Sequence, residues 1–346
     1  MELDAFRRWF DEAFLEFVDE RIGSYAQFTD RTAITSALGQ VRQLAQNGKR
    51  IRPYLTYLGY KAEGGNDIET LTRALIAVEL FHVFCLIHDD IIDEDDLRRG
   101  VTTVNALSRT YYEQLGRPQL ALRAGNAQAL LVGDLVFAWV FGLIASYTQN
   151  DQLMREFAYT IDEVVIGQMI DVDLMAQPEA SRELILEKMR LKTAGYTFVQ
   201  PLRIGRLLAG KQGHDQSVDA MCLSLGLAFQ MQDDLLDIYG TESDLGKDLG
   251  SDIEESQHTL LTQHVMDEGS LDDIRELHVL VGQGVDDDRL QLLRQLFERT
   301  GATGALKKEI QEHIQEAHVL AGALTWPPDQ KEALTSLITY VEKRNT

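Results

Sequence analysis

Proline and cysteine are scarce in this chain, with 6 and 2 among its 346 residues. So few prolines, set between long periodic segments, argue for helices over a strand-and-turn architecture. Cys85 and Cys222 both lie inside apolar helical runs, which argues against a disulfide framework and for a reducing, cytoplasmic setting. Basic residues are also in short supply. Lys and Arg number 33 against 55 Asp and Glu, a net charge of −22, and nucleic acid is excluded as a partner because phosphate binding needs a basic stripe. An acidic chain that binds an anionic molecule must recruit cations to hold it, metal ions above all. The first residues, MELDAFRRWFDEAF, lack an uninterrupted apolar core and a small-residue cleavage site, so no signal peptide is expected.

Linkers, solenoid repeats, low-complexity tracts and runs of period two are missing as well. Helical spacing is what remains. It predicts helices over 3–22, about 31–46, 69–92, and roughly 123–147, 150–176, 180–210 and 215–240. Three or four shorter amphipathic helices follow from 270 onward, broken at Gly and Pro. Gly-rich loops fall at Gly64–Gly65, Arg99–Gly100 and Thr241–Gly250. The run Ala129–Tyr147 is long enough to raise the question of a membrane span. Asp134 and two glycines interrupt it and no second span is evident, so a buried core helix is expected and no span. With 45% hydrophobic residues there is material for one large all-α domain over 1–346.

Two acidic clusters stand out: Asp89-Asp90-Ile91-Ile92-Asp93 and Asp233-Asp234-Leu235-Leu236-Asp237. In each, the outer two Asp are i and i+4, on one helix face, and all three carboxylates are expected within an arc of about 100°. Each cluster ends an apolar helix, where the backbone dipole already disfavours acids and like charges repel. A divalent cation reverses both penalties, and hard oxygen ligands suit Mg²⁺ bridging carboxylates to phosphates. Taken singly, either cluster could be a solvated helix end; the repeated spacing favours metal. Around them lie Gly48-Lys49-Arg50-Ile51-Arg52-Pro53, Arg98-Arg99-Gly100, Lys192-Thr193 and Gly246-Lys247. Any one of these could be an ordinary surface ion pair, but as a set they read as diphosphate ligands.

These motifs, in this order, together with Glu79–His88, Gly133-Asp134, Gly167-Gln168, Asp171 and Phe229–Gln232, resemble the trans-isoprenyl diphosphate synthases, or polyprenyl synthetase family. The resemblance implies a helical bundle of the isoprenoid synthase type with a central substrate cavity. It implies condensation of isopentenyl diphosphate with an allylic diphosphate (dimethylallyl, geranyl or farnesyl). Lys49, Arg52, His82 and Arg99 would hold the isopentenyl diphosphate. Asp89, Asp93 and Asp233, within clusters that also contain Asp90, Asp234 and Asp237, would bind Mg²⁺, which clamps the allylic diphosphate with Arg98, Lys192 and Lys247. Lys192, Thr193 and Gln230 would stabilise the allylic cation. His82 and His88 could instead be hydrogen-bonded core residues. After Asp252 the family usually carries Gly-Lys-x-Thr, where this chain reads Ser256-Gln257-His258-Thr259, so one cation is missing from the allylic site.

Phe84 and Cys85 lie about one helical turn before Asp89, and Phe81 about two. A bulky Phe84 beside a small Cys85 resembles short-chain synthases that make geranylgeranyl diphosphate. Farnesyl diphosphate is the runner-up, because Phe81 could narrow the path. A class I terpene cyclase would not need the Lys49, Arg52 and Arg99 set, and a non-catalytic helper subunit should have lost an Asp cluster. By resemblance the assembly is a homodimer.

Overall fold

The computed structural model describes residues 1–46, 48–147, 149–241, 249–282 and 284–343. Its helices are α1 (Leu3–Ser24), α2 (Thr32–Gln46), α3 (Ile51–Ala62), α4 (Ile68–Ile92), α5 (Val104–Gln114), α6 (Pro118–Ile144), α7 (Asp151–Met175), α8 (Arg182–Met189), α9 (Gln200–Leu208) and α10 (Gln216–Tyr239). A short α11 (Ser251–Glu254) leads into α12 (Leu260–Glu268), α13 (Leu271–Leu280), α14 (Asp287–Arg299), α15 (Ala302–Ala323) and α16 (Pro328–Glu342). The strands among the described residues are β1 (Leu97–Arg98) and β2 (Val101–Thr102), an antiparallel pair of two residues each. The chain is all-α, as its periodicity indicated.

Local chemistry sets the helix boundaries. The side chains of Asp67, Thr103, Ser181 and Asp215 accept backbone N–H groups at the starts of α4, α5, α8 and α10. Thr259 with Thr262, and Ser270 with Asp273, form reciprocal capping boxes on α12 and α13, each satisfying two orphan donors. Pro118, Pro201 and Pro328 sit in first turns, where the absent N–H costs nothing.

Contacts cluster the chain into two compact units. One comprises Met1–Tyr57 and Gly65–Met154, the other Leu58–Gly64 and Arg155–Thr346. In the first, Phe6, Phe10 and Phe14 of α1 are fully buried and stacked, with neighbouring centroids 5.6 and 5.4 Å apart. Phe6 continues onto Tyr54 and Tyr57 of α3 at 5.2 and 5.3 Å. In the second unit, α10 lies against α15 and against the segment after α8.

Two expectations change. The single helix over 180–210 is three pieces: α8, a π-helical stretch Arg190–Val199, and α9. Nor is the apolar run at 129–147 uniformly buried, since Leu130, Leu131 and Phe141 of α6 are exposed. Ile68–Ile92 and Pro118–Tyr147 are both long and apolar enough to cross a membrane by length and composition, with 67% and 44% of their apolar windows buried within the chain. The expectation of no second run of this kind is thereby corrected, since Ile68–Ile92 also qualifies.

Candidate active site

In the first unit a cationic group gathers around His82. Arg50 is buried at φ 56°, a left-handed conformation. Its guanidinium donates to Asp11 and Glu79, each at 2.6 Å, and to the Ala45 carbonyl, and lies 4.9 Å from the Phe14 ring centroid. Gly48 is required beside it, because a Cβ there would stand 2.4 Å from the Arg50 Nη1. Arg50 is therefore structural, whereas Lys49 is exposed and Arg52 half-buried. Arg99, also left-handed at φ 53°, donates Nη2–H to His82 Nε2 at 3.1 Å. Burial, followed by the charges of Arg52, Arg99, Arg50 and Arg98, holds the His82 pKa well below its usual range, so the ring is neutral. Burial also lowers the Arg99 pKa, relieved by Glu79 and reinforced by Arg50, Arg52 and Arg98. Guanidinium groups crowded this way in an acidic chain are stabilised by an anion of matching geometry.

The first Asp cluster ends α4. The expectation that its three carboxylates converge is not met. Asp90 is buried and accepts Arg98 Nε–H at 2.6 Å, while Arg98 also donates to Asp95 at 2.6 Å. The Asn105 amide donates to the carbonyls of Asp90 and Asp95 at 3.2 and 3.1 Å, which pins the turn leading to β1. Asp89 and Asp93 are the half-exposed members. One turn earlier, Phe84 stacks on Phe81 with centroids 5.7 Å apart, and Phe137 of α6 closes the group at 5.0 Å from Phe84 and 6.4 Å from Phe81. Cys85 is half-buried and takes part in no disulfide. His88 lies 4.5 Å from the Phe84 ring, with Nε2 at 3.3 Å from the Leu130 carbonyl. Gly133 makes room for it, as a Cβ there would meet His88 Nε2 at 2.2 Å. His88 is thus a packing residue at the edge of the core, its side chain 28% exposed and Nε2 4.0 Å from Asp134.

The second cluster lies on α10. Asp234 and Asp237 are buried. Asp234 accepts Gln230 Nε2–H at 2.8 Å, and Asp237 accepts the Ser251 hydroxyl at 3.0 Å and the Asp252 N–H at 3.3 Å. Burial raises the Asp234 pKa, with Asp252 adding to it and Gln230 and Lys188 opposing. Asp233 is half-buried. The Thr193 hydroxyl donates to Gln230 Oε1 at 2.7 Å, completing a Thr193–Gln230–Asp234 chain.

Lys192 and Thr193 belong to the π-helical stretch, which is wedged between glycines. A Cβ on Gly167 of α7 would stand 2.5 Å from the Lys192 N, and one on Gly226 of α10 would stand 2.6 Å from the Ala194 Cα. The buried Glu163 clasps both ends of the stretch: Oε1 accepts Arg190 at 3.0 Å and the Tyr159 hydroxyl at 2.8 Å, and Oε2 accepts the Gln200 amide. A buried carboxylate with three donors is a strong local restraint. π-Helical turns are uncommon and frequently occur at functional sites. Lys192 Nζ donates to Asp171 Oδ2 at 2.5 Å. Lys247 lies outside the described residues.

Neither Glu163 nor Lys188 nor Phe137 was singled out from the sequence. Lys188 had one signal, its i, i+4 spacing from Lys192; Glu163 and Phe137 had none that periodicity could separate from core packing.

Among the described residues no three Asp, Glu, His or Cys side chains form a ready-made cation site. Mg²⁺ nonetheless suits the donors present. In the first unit Asp89 and Asp93 at a helix end are hard, half-exposed carboxylates, and in the second unit Asp233 on α10 is another; at each, Mg²⁺ would complete its octahedron with water and substrate phosphate oxygens rather than with an all-protein cage.

Residues 36–298 match the family described as polyprenyl synthetase. The short chain isoprenyl diphosphate synthase of Methanothermobacter thermautotrophicus is 30% identical over 95% of this chain and 96% of its own length. The geranylgeranyl pyrophosphate synthase of Geoglobus acetivorans is 31% identical over 87% and 88%. Among solved structures, a Corynebacterium glutamicum geranylgeranyl pyrophosphate synthase complexed with isoprenyl diphosphate and magnesium superposes with a TM-score of 0.90, at 25% identity, covering 99% of this chain and all of that one. The chain belongs to the polyprenyl synthetase family.

Proposed function

We propose that this protein is an Mg²⁺-dependent trans-prenyltransferase that condenses isopentenyl diphosphate with an allylic diphosphate, with geranylgeranyl diphosphate as the main product. The observation that carries the reading is the Arg52–His82–Arg99 cluster in a chain of net charge −22. A neutral His82 keeps Arg99 oriented through Nε2, and with the exposed Lys49 these groups bind the diphosphate of the homoallylic substrate. Asp89 and Asp93 of the first Asp cluster, and Asp233 of the second, are the carboxylates that would hold Mg²⁺, which supplies the positive charge that offsets charge developing on the allylic leaving group. Lys192 adds a cation to that leaving group, as Lys247 would, whereas Arg98 is held by Asp90 and Asp95. As the allylic C–O bond breaks, its electron pair leaves with diphosphate. The Thr193 hydroxyl and the Gln230 amide present fixed dipoles to the carbocation without offering a strong nucleophile. The isopentenyl double bond then forms the new C–C bond, and the departed diphosphate removes the final proton.

Product length rests on the Phe81, Phe84 and Phe137 rings as a floor to the growing tail. The third ring, Phe137, supports farnesyl diphosphate as the second reading, since it packs on both Phe84 and Phe81. The family match spans both contact units, which supports a single catalytic domain. The exposed apolar residues of α6 support a homodimer, and Cys85 and Cys222, neither in a disulfide, support a cytoplasmic setting.

Incubation with isopentenyl diphosphate and dimethylallyl, geranyl or farnesyl diphosphate, followed by sizing of the dephosphorylated products, tests the reading. A twenty-carbon alcohol is expected, abolished by chelator, restored by Mg²⁺ and lost in folded Asp89→Ala and Asp233→Ala variants. Failure to elongate any of the three starters refutes it.

A further inference from the structure

The loop that departs from the family pattern keeps its backbone form and loses only its ammonium. Ser256 takes φ 60°, the left-handed region that glycine favours. Thr259 still caps α12, and Gln257, buried, donates its N–H to the Asp252 carbonyl at 2.7 Å. Beside Gln257 stands a lysine from another element. Lys188 of α8 directs Nζ to Gln257 Oε1 at 3.5 Å and to the His258 carbonyl at 3.1 Å. Its third neighbour is Asp171 Oδ1 at 2.8 Å. The other oxygen of Asp171 takes Lys192, so one carboxylate, 4% exposed, is shared by two ammonium groups. The Lys188 side chain is only 13% exposed, which is far from the solvated state of a surface lysine. An ammonium group enclosed this far from water is costly unless anions meet it. The Lys188 charge also acts on Asp234 of the second Asp cluster, which locates it beside the proposed allylic end of the site.

We infer that Lys188 is a substrate-binding residue, supplying from α8 the ammonium that position 257 lacks, and that Lys188 and Lys192, spaced by Asp171, together grip the diphosphate of the allylic substrate. The inference rests on the prenyltransferase reading above. It also changes what to expect at position 257, where a second lysine would meet an ammonium already in place.

The test is a charge relocation. Michaelis constants for the allylic and isopentenyl substrates are measured for the wild type, Lys188→Met, Gln257→Lys and the double variant. Inorganic diphosphate with Mg²⁺ is titrated calorimetrically into each, and thermal unfolding is followed. Lys188→Met keeps most of the apolar stem and removes the charge. It should weaken allylic and inorganic diphosphate binding by about tenfold or more, as expected for a charge-assisted hydrogen bond, and leave the isopentenyl constant unchanged. The double variant should regain most of that loss, and Gln257→Lys alone should gain little. A Lys188→Met variant with unaltered allylic and diphosphate binding overturns the inference, as does a double variant that recovers nothing, because a lysine that only clips the loop is not replaced by one at 257. A tenfold gain from Gln257→Lys alone also overturns it, and stands even if Lys188→Met fails to fold. Absence of condensation by the wild type would refute the prenyltransferase reading instead, while the inorganic diphosphate titration would still report on Lys188.

Discussion

Replacing Phe84 by Ala should lengthen the product by about one five-carbon unit, and the structure says why the effect is on length rather than on folding. The ring is half-buried and touches Phe81, Phe137 and His88, with centroids at 5.7, 5.0 and 4.5 Å. Its loss removes aromatic contacts worth roughly 0.5–1.5 kcal/mol each, but that cost is the same whichever product forms. Elongation alone depends on the vacated space. One more isoprene unit buries five carbons, which at ~0.8 kcal/mol per methylene-sized group is about 4 kcal/mol of gross apolar gain. If only a third of that survives the ordering of the tail, about 1.4 kcal/mol remains, a tenfold bias towards elongation over release. Chromatographic sizing of dephosphorylated products reads this directly. Phe84→Ala should move the distribution up by one unit, Phe84→Ala with Phe81→Ala further, and Cys85→Phe towards farnesyl diphosphate. Phe137→Ala, acting from α6, should mimic Phe84→Ala. An unchanged distribution in all four would refute the ring cluster as the floor.

The neighbouring arginines Arg50 and Arg52 should separate structure from binding. Arg50→Met strands the buried Glu79 carboxylate and should cost about 3–5 kcal/mol in chemical denaturation. Arg52→Ala should leave stability near wild type and raise the isopentenyl diphosphate Michaelis constant at least tenfold, at ~2–5 kcal/mol for a lost charge contact. Gly167→Ala places a Cβ 2.5 Å from the Lys192 backbone and should depress turnover by displacing Lys192 and Thr193, which a crystal structure of the variant would reveal. Burial tends to raise the Asp171 pKa, but its ion pairs with Lys192 and Lys188 outweigh this and lower it from its ordinary 3.8. Its pairing therefore contributes full stability above pH ~4 and loses it as acid takes the pH through the lowered folded value. Asp171→Asn should flatten the acid limb of a stability–pH profile, and an unchanged limb would contradict the pairing.

Much of the fold was legible because helical periodicity survives in a chain with few breakers. The ends of α4, α7 and α10 fell within a residue or two of their observed positions. What periodicity could not express was the π-helical stretch, which depends on Glu163 closing on Arg190 and Gln200 and on Gly167 and Gly226 admitting its backbone. Sequence spacing also placed all three Asp of each cluster on one arc. Side-chain partners decided otherwise, turning Asp90 to Arg98 and Asp237 to Ser251. Gly133, one of the motifs that carry the family resemblance, also leaves the gap that His88 fills. Gln257 was readable as a missing cation, but Lys188 beside it was not, because no local rule links positions 188 and 257.

The central claim is that this protein joins two diphosphate substrates, and diphosphate release tests it most directly. Purified protein with Mg²⁺ is given geranyl or farnesyl diphosphate alone, isopentenyl diphosphate alone, and the pair, and free diphosphate is measured against the prenyl products. The account predicts sustained release only with the pair, one diphosphate for each five-carbon unit added. Sustained release from the allylic substrate alone, with cyclic or linear hydrocarbon as the product, would contradict it and identify a cyclase instead.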